Sequence, residues 1–271
     1  SIWNTWNKLP LEQLFLKTRN LLIGSSINAN KEVVKIIKLK LEKNKNLSYK
    51  KKISNLIKIL PNEIYLNNNQ KKIIKFLKVI QEYEKKTCIQ FSQDKQRLAT
   101  EIMVYTKDKP GLLYKLSGAV SVSGFNVIEA KVSTLKNGMA LDVLWVRDLN
   151  GLMLENLYHF PKLKEIMYKI LLNNFSLKEK IRNEKNKYLK KNLFNINTKM
   201  FIDNNMSKNH TILEINTFDR IGLIYDLTKK LYELKLRISS AKILSLGHGI
   251  NDIFYIQDVK GNKILSKEKI N

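Results

Sequence analysis

The sequence repeats itself at an offset of 111 residues, and this duplication restricts the possible folds more than any other feature. Asp108-Lys109-Pro110-Gly111-Leu112-Leu113-Tyr114-Lys115-Leu116 returns as Asp219-Arg220-Ile221-Gly222-Leu223-Ile224-Tyr225-Asp226-Leu227. Ala130-Lys131-Val132 returns as Ala241-Lys242-Ile243, and Asn137-Gly138 as His248-Gly249. After a one-residue deletion, Asp142 corresponds to Asp252, Asp148 to Asp258, and Asn150-Gly151 to Lys260-Gly261. Whatever element order the first unit adopts, the second must share it.

That order can be read from the hydrophobic period. Thr100 to Tyr105 is β-branched and aromatic, a strand pattern. The turn from Thr106 to Gly111 leads into a helix whose Leu112, Leu116, Ala119 and Val120 fall on one face, and Gly124 ends it. Asn126 to Thr134 reads as a strand with Ile128, Ala130 and Val132 on one side. Asn137-Gly138 is a tight-hairpin signal, with a return strand from Ala140 to Val146 and a helix over 152–172. Thr211 to Ile215 opens the second unit. Lys199 to Asp203 reads as the fourth strand of the first unit, beyond a polar insertion at 173–197. Only ten residues follow Gly261, too few for a final helix and strand. The expected fold class is therefore α+β, with two ferredoxin-like βαββαβ units at 97–204 and 205–271, the second truncated. Residues 1–96 read as helical, with apolar periods at Leu11–Leu22, Val33–Leu41, Ile53–Leu60 and Ile73–Ile80. The missing initiator Met and the short second unit fit a segment of something longer, or a shortened gene product.

Composition then narrows the function classes. The net charge is +25, but residues 1–90 carry 19 basic and 6 acidic side chains and Asn174 to Met200 carries 8 and 2, so the excess is spread over helical faces and a linker. Lys, Asn and Ile crowd every region, which favours a compositional origin over a nucleic-acid or membrane surface. The strands lack the basic-Gly-aromatic pattern of RNA-binding sheets. No run of 18 apolar residues occurs, no targeting peptide is evident, and Cys88 is the only cysteine, so a reducing, cytoplasmic setting is expected. The three histidines, His159, His210 and His248, are scattered, and no nucleophile–base pair or metal-ligand cluster is visible, so no catalytic residue and no cofactor are assigned to this segment.

The Asp108–Gly111 turn carries the best site. Pro110 presets the turn, Gly111 lets a ligand approach the backbone, and the first helical amides point outward. Their dipole attracts a carboxylate by about 0.3–1 kcal/mol. Asp108 can cap the helix or hold an ammonium, and Asn126 offers both donor and acceptor. An α-amino acid needs this combination. Asp108 alone fits a cap better; the loop together with Asn126 fits ligand binding better. The candidate ligand set is Asp108, Pro110, Gly111, Leu112, Asn126 and Val127, with Asp219, Gly222, Leu223 and Arg237 at the second unit. Arg237 stands where the first unit has Asn126, and Ile221 where it has Pro110, which sets the second unit apart.

Strand, D-x-P-G-L, helix, then G-x-N-[VI] and a hairpin resembles the ACT domain, a family of small-molecule sensors attached to metabolic enzymes. Two in tandem behind a helical stretch opening Trp3-Asn4-Thr5-Trp6 resemble, more narrowly, the bifunctional uridylyltransferase/uridylyl-removing enzymes. Gly138–Asp142 with Trp145–Asp148, Phe201–Asn204, Gly222–Thr228 and Asp252–Ile256 support that likeness. The resemblance implies a regulatory segment that senses an amino acid, glutamine, within an enzyme acting on the PII signalling protein in nitrogen control. It also implies that Mg and UTP serve nucleotidyltransferase and hydrolase domains that this chain lacks. A stand-alone ACT-repeat regulator, or the tail of another amino-acid-regulated enzyme, is the alternative.

Overall fold

The computed structural model describes residues 34–39, 47–155, 158–172, 177, 181, 198–218, 220, 222–243, 245–246 and 249–265. The expected helix at Leu11–Leu22, the insertion between 182 and 197, Asp219, Ile221 and His248 lie outside the described residues. The chain divides into two compact units, one of residues 1–84 with 135–137 and one of 85–134 with 138–271.

The first unit is helical. Residues 34–39 are helical. α1 runs Leu47–Ile59, α2 Asn62–Asn67 and α3 Gln70–Tyr83. Pro61, whose ring cannot continue a helix, ends α1 and starts α2 by accepting the Ile64 amide at 3.1 Å. The Tyr65 hydroxyl donates to the Ile57 carbonyl at 2.7 Å and ties the two together. Asn69 caps α3 by accepting the Lys72 amide. Ile73, Phe76, Leu77 and Ile80 are buried at the i, i+3, i+4, i+7 spacing that the sequence displays.

The second unit is a nine-stranded antiparallel sheet among the described residues: β1 (Cys88–Asp94), β2 (Ala99–Lys107), β3 (Asn126–Lys131), β4 (Met139–Arg147), β5 (Lys199–Asp203), β6 (Thr211–Phe218), β7 (Arg237–Lys242), β8 (Ser245–Leu246) and β9 (Gly249–Gln257). Their order is β1-β2-β4-β3-β7-β9-β6-β5, with β8 beside β9. Helices α4 (Leu112–Val122), α5 (His159–Leu171) and α6 (Leu223–Glu233) supply the other layer. Leu116, Ala119, Leu144, Leu163 and Met167 are fully buried in one core with Phe254 of the second repeat.

The layout is ferredoxin-like, but the strands are allotted differently from the sequence-based expectation. Lys199–Asp203 pairs with β6, not with the first repeat. The first repeat instead takes its outer strand from Cys88–Asp94, a segment expected to be helical, which pairs with β2. The offset of 111 explains both, since Cys88 maps onto Lys199. The duplication extends to side-chain bonds. Thr87 pairs with Thr106 at 2.8 Å, and Thr198 with Thr217 at 2.8 Å. Thr100 Oγ1 accepts the Leu154 amide at 3.0 Å, and Thr211 Oγ1 that of Ile264 at 2.9 Å. The second repeat thus has a full four-stranded sheet. The helix expected over 152–172 begins only at His159, because Asp148 first closes a turn by accepting the amides of Asn150 and Leu152. Asp258 does the same for Lys260 and Asn262.

The two repeats meet across a local two-fold axis. Ala130 pairs with Ala241, joining β3 to β7. Ser117 Oγ and Thr228 Oγ1 lie 3.4 Å apart, and the Tyr114 and Tyr225 rings meet edge-on at 6.1 Å. Each pair is 111 residues apart, so each residue touches its own counterpart, the mark of a self-complementary contact.

Candidate functional site

Gly111 and Gly222 each stand at a helix start with φ of 78° and 75°. A left-handed backbone of this kind strongly favours glycine. Neither helix has a side-chain cap. Asp108 therefore does not cap α4. Its carboxylate accepts the Thr134 hydroxyl at 2.6 Å, and its amide donates to the Gly138 carbonyl, which pins the turn to the β3–β4 connection.

The first turn is filled by aromatic rings. A Cβ on Gly111 would lie 2.3 Å from the Tyr114 ring and 3.0 Å from Tyr232. The two rings are 5.1 Å apart. Pro110 is exposed, Leu112 is buried, and Arg237 is exposed at the start of β7.

Asn126 and Val127 face the other turn. The bulge between Val127 and Glu129 interrupts the alternation expected for β3, so Val127 and Ala130, rather than Ile128, Ala130 and Val132, are buried. Ile238 and Ser240 show the same shift in β7. Asn126 and Val127 line a cleft with Ser121, Arg220, Gly222, Leu223, Ile224, Ile243 and Ile250. The structure thus brings Asn126 and Val127 of one repeat to Gly222 and Leu223 of the other, and not to Asp108 or Gly111. The cleft is small, about 10 Å³, with room for roughly one water.

The two turns differ at an aligned position. Ser121 lines the cleft, and its counterpart is Tyr232, which fills the space beside Gly111. Sequence reasoning passed over Ser121, Arg220 and the Ile224–Ile243–Ile250 wall. The Ser121-for-Tyr232 exchange was visible in the aligned repeats, but its meaning depends on knowing that each turn faces the other repeat's strand.

The chemistry of the cleft suits a zwitterion. The α6 amino end offers partial positive charge for a carboxylate. Arg220 adds a full charge, held by Asp226 at 2.6 Å. Asn126 supplies an acceptor for an ammonium and donors for an amide. The isoleucines give the apolar wall that small-ligand sites use. Near the other turn, burial pushes the Asp142 carboxyl up to about 8; the Ser133 amide at 3.3 Å opposes this and nearby Asp108 reinforces it.

Among the described residues no three His, Cys, Asp or Glu converge to hold a metal ion, and no helix is long and apolar enough to cross a membrane.

Two helix-backed sheets, duplicated and joined edge to edge with a turn–strand cleft between them, define a tandem ACT module. The family described as ACR9-like, ACT-like domain matches residues 199–271, a range that begins at β5. The chain is 32% identical over 184 residues to the bifunctional uridylyltransferase/uridylyl-removing enzyme of Rhodospirillum rubrum, which covers 68% of this chain and 20% of that protein. It is 36% identical over 179 residues to the enzyme of the same name from Azospirillum brasilense, 65% of this chain and 19% of that protein. The Gluconobacter oxydans enzyme is 34% identical over 171 residues, 62% and 18%. The chain is similar to one part of the bifunctional uridylyltransferase/uridylyl-removing enzymes, and it spans about a fifth of the length of these relatives.

Proposed function

We infer that this chain is the amino-acid-sensing segment of a uridylyltransferase/uridylyl-removing enzyme, and that glutamine binds the cleft between β3 and the start of α6. The observation that carries this reading is that Asn126 and Gly222–Ile224, from opposite repeats, line one cleft. The ligand carboxylate faces the α6 amides and Arg220, its ammonium faces Asn126 Oδ1, and its side chain lies toward Ser121 and the isoleucine wall. The cleft has room for about one water, so glutamine enters only if the repeats part at the cleft. Binding therefore selects a more open arrangement, which is how a sensor converts occupancy into a coupling of roughly 1–3 kcal/mol. The partner reached through that coupling is the PII protein, in the cytoplasm, and Mg and UTP serve the catalytic domains of the longer enzyme.

Titration calorimetry with a panel of amino acids tests the reading. Heat of binding is expected for glutamine at one site per chain, and Asn126→Ala is expected to weaken it roughly tenfold to a hundredfold, as loss of a bond to a charged group does. Heat from no amino acid, or unchanged affinity in Asn126→Ala, contradicts it.

A further inference from the structure

The start of α6 carries an ion pair at the positions where the start of α4 carries two lysines. Arg220 Nη2 lies 2.6 Å from Asp226 Oδ2. The residues 111 positions earlier are Lys109 and Lys115. Burial first, and the neighbouring Lys109 charge second, push the Lys115 ammonium below its ordinary range. The duplication thus keeps a glycine turn in both repeats and changes the charges set around it.

The turn itself puts Asp226 in reach. The Gly222 carbonyl accepts the Asp226 amide at 2.9 Å, which places Asp226 in the first turn of α6. From there its carboxylate meets Arg220, a residue that lines the cleft. The two side chains are 39% and 30% exposed, and an ion pair so open to water contributes little to stability. Its consequence is for the field at the cleft. Arg220 alone would set a full positive charge beside the α6 amino end, which itself carries roughly half a charge. Paired with Asp226, the full charge is matched and the partial charge of the helix end remains. That suits the single carboxylate of an amino acid whose side chain is neutral. A second carboxylate, on the ligand side chain, would find Arg220 already matched and Asp226 nearby as a like charge, and like charges brought together penalise the wrong ligand.

We propose, resting on the reading of this cleft as an amino-acid site, that Asp226 determines its specificity: by matching Arg220 it makes the cleft prefer glutamine, with an uncharged side chain, over glutamate. Asp226 is a positioning residue, acting through Arg220 rather than by touching the ligand.

Titration calorimetry of the full chain with glutamine and with glutamate tests this. The wild type is expected to bind glutamine about tenfold or more tightly than glutamate. Asp226→Asn keeps the side-chain shape and removes the charge; it is expected to narrow that preference roughly threefold to tenfold, through tighter glutamate binding, with glutamine affinity changed by less than about threefold. Asp226→Glu returns a carboxylate to Arg220 and is expected to restore the preference to within about twofold. Arg220→Gln gives the opposite arm: it leaves the carboxylate without this cation, and the preference is expected to widen. Thermal unfolding of each variant checks the fold. If glutamine binds the wild type and Asn126→Ala weakens it, an unchanged preference in Asp226→Asn overturns this proposal and leaves the cleft as the site. A narrowed preference that Asp226→Glu does not restore, or one that Arg220→Gln does not widen, overturns it too, as does a wild type that binds both ligands equally. A wild type that binds neither overturns the reading of the cleft along with it.

Discussion

Tyr114 and Tyr225 occupy the same place in the repeat, and the Tyr114 ring lies over the start of α4 at Gly111. A Cβ on Gly118 would lie 2.9 Å from the Tyr225 ring, so that ring packs where Gly118 has no side chain. The counterpart of Gly118 is Lys229, which carries a side chain where Gly118 has none. Ser121 lines the cleft, and its counterpart Tyr232 sits beside Gly111, so Ser121→Tyr should crowd the cleft and reduce ligand heat to baseline, with the unfolding temperature little changed; retained binding would show that the cleft is not the site. Gly111→Val should act on stability instead. Its φ of 78° and the 2.3 Å approach to Tyr114 predict a loss of about 1–3 kcal/mol in denaturant unfolding, while the Gly222 cleft keeps its affinity. At Asp142 the folded-state pKa lies near 8, above the unfolded value. The native state then binds the extra proton, and stability is full at low pH and falls as pH rises from about 4 to 8. Unfolding temperatures of the wild type should decline across pH 5–8 relative to Asp142→Asn; parallel profiles would refute this.

At the scale of elements, the sheet was legible wherever a strand alternates or a turn residue punctuates it. β2, β4 and β6, the α4 face and the turn at Asn137-Gly138 follow from period and Gly placement. β1 was not legible. Cys-Ile-Gln-Phe-Ser-Gln-Asp is short and follows the amphipathic α3, and its strand character comes from pairing with β2 and from burial beneath α5. Assigning β5 to the first repeat had the same root, because chain order alone does not say which neighbour a strand will choose. The repeat did hold the answer, since Thr87 and Thr198 bond identically to Thr106 and Thr217. Half of the cleft was readable as motif, namely the glycine turn and Asn126. Their partition across two repeats was not, because it depends on the β3–β7 pairing at Ala130 and Ala241. The duplicated threonine acceptors give a test of element equivalence. Thr100→Val and Thr211→Val each strand a buried amide, and each should cost about 1–3 kcal/mol in denaturant unfolding. A large effect at one site and none at the other would mean that the repeats close their sheets by different means.

At the scale of the whole molecule, the cleft at Gly222 draws on both repeats. Contacts along the local axis, at Ser117–Thr228 and Ala130–Ala241, hold the repeats so that a helix start from one meets a strand from the other. A ligand in that space touches both repeats at once, and only such a ligand can report on, or alter, how they are arranged. The large positive charge contributes long-range attraction to acidic partners and no specificity within the cleft. The most direct test is an amide chemical-shift titration of the labelled chain with glutamine. Saturable shifts are expected at Gly222, Leu223, Ile224 and Asn126, with little change at Gly111 to Leu113. Shifts centred on Gly111 to Leu113, or none at either turn, would contradict it.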